Sequence, residues 1–319
     1  MFNEKPPIIE NKDQEPFDLE KWLVSELPRQ YEEKAKLLNR LGLLEILPEK
    51  KEIGLTGING REYPIPKRED IEKIIRENRE LYEAKMKQGF TEMEIVPFGL
   101  QLEQRLIKTA EKAILKHHQA GKLFYARRNP EDEIEPLVTA ELDANQPLYF
   151  WDGYQNADTD GKLVYFPEEF SQNHRGKTKE RILEETGQGF QIILRERDIN
   201  IPRSGKGENI GGRKQLETNL TPSEYLKKIQ TEKQYQNEQG QTPEDWLTIF
   251  ITHLEKYNQV IDDYQGHGSI AYNLGGYFPS GGNLPGAHWN RGGRRADLGW
   301  GYPRGRDGNY GVRGRVRVL

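Results

Sequence analysis

The chain has 319 residues, a formal net charge of −4, 31% charged and 34% hydrophobic residues, and no cysteine. That length suits one large domain or two small ones. The near-neutral balance excludes a global pull toward nucleic acid, and the absence of Cys excludes disulfides and thiolate chemistry.

High charge without cysteine also fits a thermophile. No apolar run approaches the roughly 20 residues of a membrane span, and Met1-Phe2-Asn3-Glu4-Lys5-Pro6-Pro7 has no signal-peptide core. The expectation is a cytoplasmic protein, or one displayed on a surface or virion by a non-classical route. Met1 to Pro16 reads as a frayed or docking arm. Leu19, Trp22, Leu23 and Leu27, then Leu37, Leu38 and Leu41, predict core-packed helices interrupted at Pro28. Ile53-Gly54-Leu55 and Tyr63-Pro64-Ile65 flank a Gly57-Ile58-Asn59-Gly60 turn and predict a hairpin. Lys67 to Gln88 reads as one amphipathic helix closed by Gly89, with Ile71, Ile74, Ile75, Leu81 and Tyr82 on one face.

Glu92 to Phe98 is a strand and Leu102 to His118 a second amphipathic helix. Short β-like runs follow at Leu123 to Ala126, Leu137 to Ala140, Leu148 to Trp151 and Leu163 to Phe166. Lys177 to Glu185 is a short helix, Phe190 to Leu194 a strand and Asn200 to Gly212 a loop. Thr221-Pro222-Ser223-Glu224 and Thr242-Pro243-Glu244-Asp245 each supply an N-cap Thr, Pro at the first helical position and an acid two residues later. The second helix turns Trp246, Leu247, Phe250 and Leu254 inward. These elements predict an α+β fold without doubly wound βαβ alternation and without internal repeats.

Several motifs invite chemistry and are read more plainly. Gly205-Lys206-Gly207 with Gly211-Gly212-Arg213-Lys214 could cradle phosphate, but the Gly-Lys-Ser/Thr ending is missing, so a surface loop is expected. Asp158-Thr159-Asp160-Gly161 opens like a calcium loop without the later bidentate acid, so a turn is expected. His117 and His118 are adjacent on a helix and point to different faces. Asp262-Asp263 at a helix end reads as capping or solvated. No spacing positions an acid, base and nucleophile together. A non-enzymatic protein with no metal and no cofactor is expected.

The chain then changes character. After Glu255 there is no further Glu and after Lys256 no further Lys, while glycine becomes dense and the basic residues are Arg and His. Arg291-Gly292-Gly293-Arg294 suggests one reading, an Arg/Gly-rich nucleic-acid-binding tail. Periodicity favours a folded segment. Ala296, Leu298 and Trp300 alternate with Arg295, Asp297, Gly299 and Gly301, which puts Trp300 on the buried face of a strand. Val312, Gly314, Val316 and Val318 alternate in the same way with Arg313, Arg315 and Arg317. Between them Tyr302 to Tyr310 is a loop rich in Gly, Arg, Asp, Asn and Tyr, the composition of binding loops.

Gly286, Trp289-Asn290, Arg295-Ala296, Leu298, Trp300, a polar loop and then Gly311-Val312-Arg313-Gly314 together resemble the C-terminus of variable proteins of diversity-generating retroelements, most of all the archaeal group. At the closing Gly the family often carries Phe or Ile, where this chain has Tyr310 and Val312. The resemblance implies a C-type lectin fold over residues 91–319, with its first and last strands paired and its variable region at about 270–319, after a mainly helical region 1–90. It implies a receptor- or adhesin-like binder of an unknown ligand, a protein or glycan on another cell or virus. A reverse transcriptase would act on the gene, not the protein.

Adenine-directed change of AAY template codons cannot give Lys, Glu, Gln, Met or Trp. Asn290 to Tyr310 contains none of these but Trp300. By the resemblance, Trp289, Leu298, Trp300, Gly311 and Arg313 form a fixed scaffold. The ligand-binding positions are His288, Asn290, Arg291, Gly292, Gly293, Arg295, Asp297, Gly299, Gly301, Tyr302, Arg304, Gly305, Arg306, Asp307, Gly308, Asn309 and Tyr310. The related formylglycine-generating enzymes work through active-site cysteines, so their activity is excluded here.

Overall fold

The computed structural model describes residues 17–319, so the arm expected at Met1 to Pro16 lies outside the described residues. Asp18 caps the first helical stretch by accepting a hydrogen bond from the Lys21 amide at 3.1 Å. Helix α1 (Leu19–Lys21), a π turn (Trp22–Glu26) and α2 (Leu27–Arg40) then follow without a gap. The expected break at Pro28 is therefore absent. A proline ring clashes with the carbonyl four residues back, and the wider π turn just before it relieves that clash.

Strands β1 (Glu45–Ile46), β2 (Ile53–Thr56) and β3 (Glu62–Pro64) form a small antiparallel sheet that contains the expected hairpin. The helix predicted over 67–88 is two, α3 (Arg68–Glu77) and α4 (Arg79–Lys87). Asn78 takes φ −116° and ψ 38° between them, and its side-chain amide donates to the Ile74 carbonyl at 2.9 Å. Asparagine competes with the helix for its own backbone in this way.

Two larger sheets organise the rest. One contains β4 (Glu92–Val96), β7 (Gln191–Arg195), β10 (Gln239–Gly240) and β16 (Gly314–Arg317) in the order β10-β16-β7-β4. The other contains β5 (Leu148–Phe150), β11 (Ile270–Tyr272), β13 (Leu284–Asn290), β14 (Arg295–Gly301) and β15 (Tyr310–Val312) in the order β15-β11-β13-β14-β5. Strands β6 (Val164–Tyr165) with β12 (Gly276–Tyr277), and β8 (Asn209–Ile210) with β9 (Arg213–Lys214), make two-stranded ribbons, the latter inside the stretch expected to be plain loop. The runs at 123–126 and 137–140 make only bridge contacts such as Phe124 to Thr139. The first and last strands of segment 91–319, β4 and β16, share a sheet but do not touch; β7 lies between them.

Helices α5 (Lys108–Gln119), α6 (Lys179–Thr186), α7 (Pro222–Thr231) and α8 (Pro243–Tyr257) complete the α+β fold. Both Thr-Pro starts form full capping boxes, through Glu224 in α7 and Asp245 in α8. Helix α8 packs on β4 of one sheet and β13 of the other, and it is buried from Pro243 to Leu254. A helix apolar on one side only would not survive there, which explains Ile249 and Ile251 beside the expected Trp246 and Phe250.

The apolar core runs unbroken from Leu19 to Val318, so a division near residue 90 passes through packed side chains. Across it Trp22 Nε1 donates to the Thr91 carbonyl at 3.2 Å, and Lys34 pairs with Glu94 at 2.9 Å in the interior. Removing one partner of such a buried pair costs roughly 3–5 kcal/mol.

Two of the arginines that alternate with Val at the chain's end lie inside the protein. Arg313 and Arg315 face no solvent; they are 4% and 1% exposed. Strand β16 is an inner strand covered on both faces, so its arginines carry buried partners. Arg313 pairs with Asp262 at 2.8 Å and donates to the Ile199 carbonyl at 2.6 Å. Arg315 meets Asp245 at 3.0 Å and Gln191 at 2.6 Å.

Candidate ligand-binding face

Strands β13 and β14 pair over seven residues each and turn at Arg291–Arg294. Asn290 shapes the turn: its Oδ1 accepts the Gly293 amide at 2.8 Å. Arg294 then takes φ +51°. The register places Ala287 opposite Leu298 and Trp289 opposite Ala296, and all four are fully buried. The alternate pairs, Gly286 with Gly299, His288 with Asp297 and Asn290 with Arg295, face the other way. Tyr149 of β5 continues the His288–Asp297 row on one side.

Part of this second face is covered. Tyr272, Leu284 and Val312 pack with Leu216, Tyr225, Ile229 and Tyr235 beneath α7 in a separate apolar cluster. What stays open is the strip from Asn290 and His288 over Gly299 to the loop 302–309. A β-carbon at Gly299 would meet no atom of the described residues within 4 Å, so the floor there is bare backbone. At Gly301 a β-carbon would sit 2.7 Å from the Tyr272 ring.

Neighbours hold most of the strip's side chains. Arg291 makes a two-pronged pair with Asp263, at 2.7 and 2.5 Å, and lies 4.0 Å over the Tyr125 ring. Arg295 donates to Asp297 at 2.9 Å and to Gln146, and covers Tyr149 at 4.6 Å. Asp297, expected to face solvent, is only 9% exposed because Asn290 also binds it, at 2.7 Å. Arg306 reaches Glu224 at 2.5 Å. Arg294 and Arg304 are exposed and have no carboxylate within 4.0 Å among the described residues. His288 is half-buried, edge-on to Tyr264 at 5.8 Å. Burial pushes its pKa below the usual value against the pull of Asp297, so the ring is neutral at pH 7 and offers one donor and one acceptor.

The loop 302–309 is pinned from beneath. Arg203 binds the Asn309 side chain at 2.7 Å and the Gly268 carbonyl at 2.8 Å. The Ser223 amide donates to the Pro303 carbonyl at 3.0 Å, and Asp307 accepts the Asn309 amide at 2.7 Å. Gly292 and Gly308 are exposed and Gly293 and Gly305 half-buried. Tyr302 is 60% exposed.

Two aromatics depart from expectation. Trp300 is 37% exposed, not buried. Strand β5 ends its pairing at Phe150 opposite Leu298, so the core has run out two residues later and Trp300 rests on Trp151 and Tyr302 instead, at 5.9 and 4.8 Å between ring centroids. Tyr310 is half-buried against Tyr272 at 4.7 Å, so it serves the fold as well as the surface. Gly311 is buried, and a β-carbon there would come within 2.4 Å of Ile201.

The remaining motifs resolve simply. The Gly205 and Gly207 amides that a phosphate would use are taken by the Glu217 carboxylate, at 2.9 and 2.7 Å. Asp262 and Asp263 are buried partners of Arg313 and Arg291, not solvated caps. Asp158 is buried against Lys179 at 2.6 Å. Among the described residues no group of three or more His, Cys, Asp or Glu is placed to hold a metal, and no helix is long and apolar enough to cross a membrane. Tyr125, Gln146, Tyr149, Asp263 and Glu224 were missed by sequence reasoning because they lie outside 270–319; only Tyr149, alternating with Leu148 and Phe150, carried a local signal. Comparison of the chain with protein-family models, curated proteins and solved structures finds no match.

Proposed function

We propose that this chain is a ligand-binding variable protein of a diversity-generating retroelement, built on a C-type lectin fold. The observation that carries the reading is the division of labour in the β13–β14 hairpin. Ala287, Trp289, Ala296 and Leu298 are sealed in the core, while His288, Asn290, Arg295 and Gly299 between them stay partly exposed along a strip with a bare glycine floor. Side chains there can change without repacking the interior, because exposed substitutions cost little stability. The loss of Lys and Glu beyond residue 256, and the absence of Gln and Met as well from 290–310, point the same way.

The ligand is a protein or glycan of another cell or virus, met by Tyr302, Arg304, Arg294 and the neutral His288. A few aromatic and arginine anchors usually dominate such contacts. A nucleic-acid surface draws less support, since Arg291, Arg295, Arg306, Arg313 and Arg315 are already committed to carboxylates.

Sequencing the source genome downstream of the gene tests the reading. The expected result is a near-copy of the segment encoding 270–319, differing almost only at template adenines, beside a reverse-transcriptase gene. A genome with neither would sink the proposal.

A further inference from the structure

Away from the binding face, three chain segments bring three charged side chains into one buried pocket. Lys179 opens α6, Asp158 sits in the turn after β5, and Glu244 lies in the first turn of α8. All three side chains are 0% exposed. Lys179 Nζ lies 2.6 Å from Asp158 Oδ2 and 2.9 Å from Glu244 Oε1. Phe98 and Tyr165 wall the amine at 5.4 and 5.8 Å from their ring centroids. The Tyr165 hydroxyl, its pKa pushed well up by burial, donates to Glu244 Oε1 at 2.6 Å. The Leu102 amide donates to Asp158 Oδ2 at 2.8 Å, and Lys179 donates to the Leu100 carbonyl at 2.8 Å. Two atoms are left over: Asp158 Oδ1 and Glu244 Oε2 are buried without a hydrogen-bond partner among the described residues.

A structural ion pair explains these orphans poorly. A dry site is a costly place for two carboxyls and one amine, because the cluster carries a net negative charge when all three are ionised. The neighbouring Arg315 is matched by its own partner, Asp245. One extra proton makes the cluster neutral. Burial presses the Lys179 amine down, and Asp158 and Glu244 outweigh it, so the resting state is the ammonium. Passing that proton to a carboxylate gives an amine and two carboxylic acids, the uncharged form that a low-dielectric interior tolerates best. An uncharged amine beside an uncharged carboxyl is a nucleophile beside an electrophile.

We propose that Lys179 and Asp158 join through an intramolecular amide bond, formed autocatalytically with Glu244 as the proton carrier. The Nζ lone pair forms a bond to Asp158 Cγ. The carbonyl electrons move onto Oδ2, which the Leu102 amide stabilises as an oxyanion-hole donor. Glu244, itself a carboxylic acid in this state, gives its proton to the Oδ1 hydroxyl from one oxygen and takes one from the attacking nitrogen at the other, so it ends as it began. That group leaves as water while the carbonyl re-forms. One C–N bond is made, one C–O bond is broken, and one water departs, with no oxidant or reductant. The product is a neutral amide that removes the buried charge. In a chain without cysteine it is a covalent staple that owes nothing to redox conditions. The inference does not depend on the ligand-binding reading.

Intact-mass spectrometry of the full chain, unfolded in acid, tests it. The wild-type chain is expected to weigh less than its sequence by the mass of one water, and trypsin should release the peptides carrying Asp158 and Lys179 as one branched species. Asp158→Ala should weigh its full sequence mass. Glu244→Gln keeps both reacting groups and should also retain its water, wholly or in large part. A wild-type chain that is folded by near-ultraviolet circular dichroism yet shows full mass overturns the proposal. So does a water loss that maps to other residues or persists undiminished in Glu244→Gln.

Discussion

Replacing Trp289 separates scaffold from surface most sharply. Its side chain is fully buried in the hairpin's core row, and its backbone amide donates to the Asp262 carbonyl at 3.0 Å. Truncating a buried Trp to Ala costs about 3–5 kcal/mol, from lost burial plus the cavity left behind. Yet the indole Nε1 has no hydrogen-bond partner among the described residues. An orphaned buried donor carries a penalty of about 1–3 kcal/mol. Trp289→Phe relieves that penalty while giving up part of the ring, so its net cost should stay below about 2 kcal/mol. Tyr302→Ala, at a 60% exposed position, should move stability by about 0.5 kcal/mol or less while abolishing ligand binding. Urea midpoints at constant m-value read all three. If Tyr302→Ala loses as much as Trp289→Ala, the division between face and core is wrong. If Trp289→Phe loses as much as Trp289→Ala, the indole nitrogen is not the orphan described.

The glycines of the two faces should part in the same way. Gly299→Ala meets open space and should be nearly neutral in thermal denaturation, whereas Gly311→Ala drives a β-carbon toward Ile201 and should cost about 1–3 kcal/mol; equal melting temperatures would contradict the packing. His253 gives a pH prediction. Burial first, then Arg195, Lys34, Arg313 and Lys256, hold its pKa well below the usual value. The unfolded chain therefore binds the proton first as pH falls below about 6.5, and stability drops there by up to about 1.4 kcal/mol per pH unit. A urea series from pH 7.5 to 5 should show that slope, and His253→Gln should flatten it; an unchanged slope in the variant would assign the effect elsewhere.

Local patterns in the chain predicted elements wherever the environment was one-sided. The Thr-Pro-x-acid starts of α7 and α8, the hairpin around Gly57–Gly60 and the core row of β13–β14 all follow from capping and alternation. Patterning misled where tertiary context set the surroundings. Alternation put Arg313 and Arg315 on one face of the last strand, but it does not reveal that Asp262 and Asp245, far away in sequence, wait on that face. Trp300 read as buried because alternation does not reveal where a neighbouring strand stops. The holders of the binding strip, Asp263, Tyr125 and Glu224, are long-range partners with no periodic signature.

The arginines of β16 have a consequence for the chain as it is being made. Vectorial synthesis exposes Gln191–Arg195, with its Ile-Ile-Leu centre, long before its partner emerges, since Arg315 lies 124 residues beyond Gln191. Until then β7 is an open apolar edge on one side, a template for pairing with other chains. Closing a sheet over such a separation is also slow. The late-arriving segment 312–318 carries Val312, Val316 and Val318, which would make it self-adhesive, but an Arg stands at every second position. Charges spaced in that way keep a strand from aggregating while it waits. Each loses its repulsive role only when its own acid or amide is met inside the native sheet. The buried pairs of Arg313 and Arg315 thus act as a lock that opens to one key, discriminating the correct edge from a foreign one.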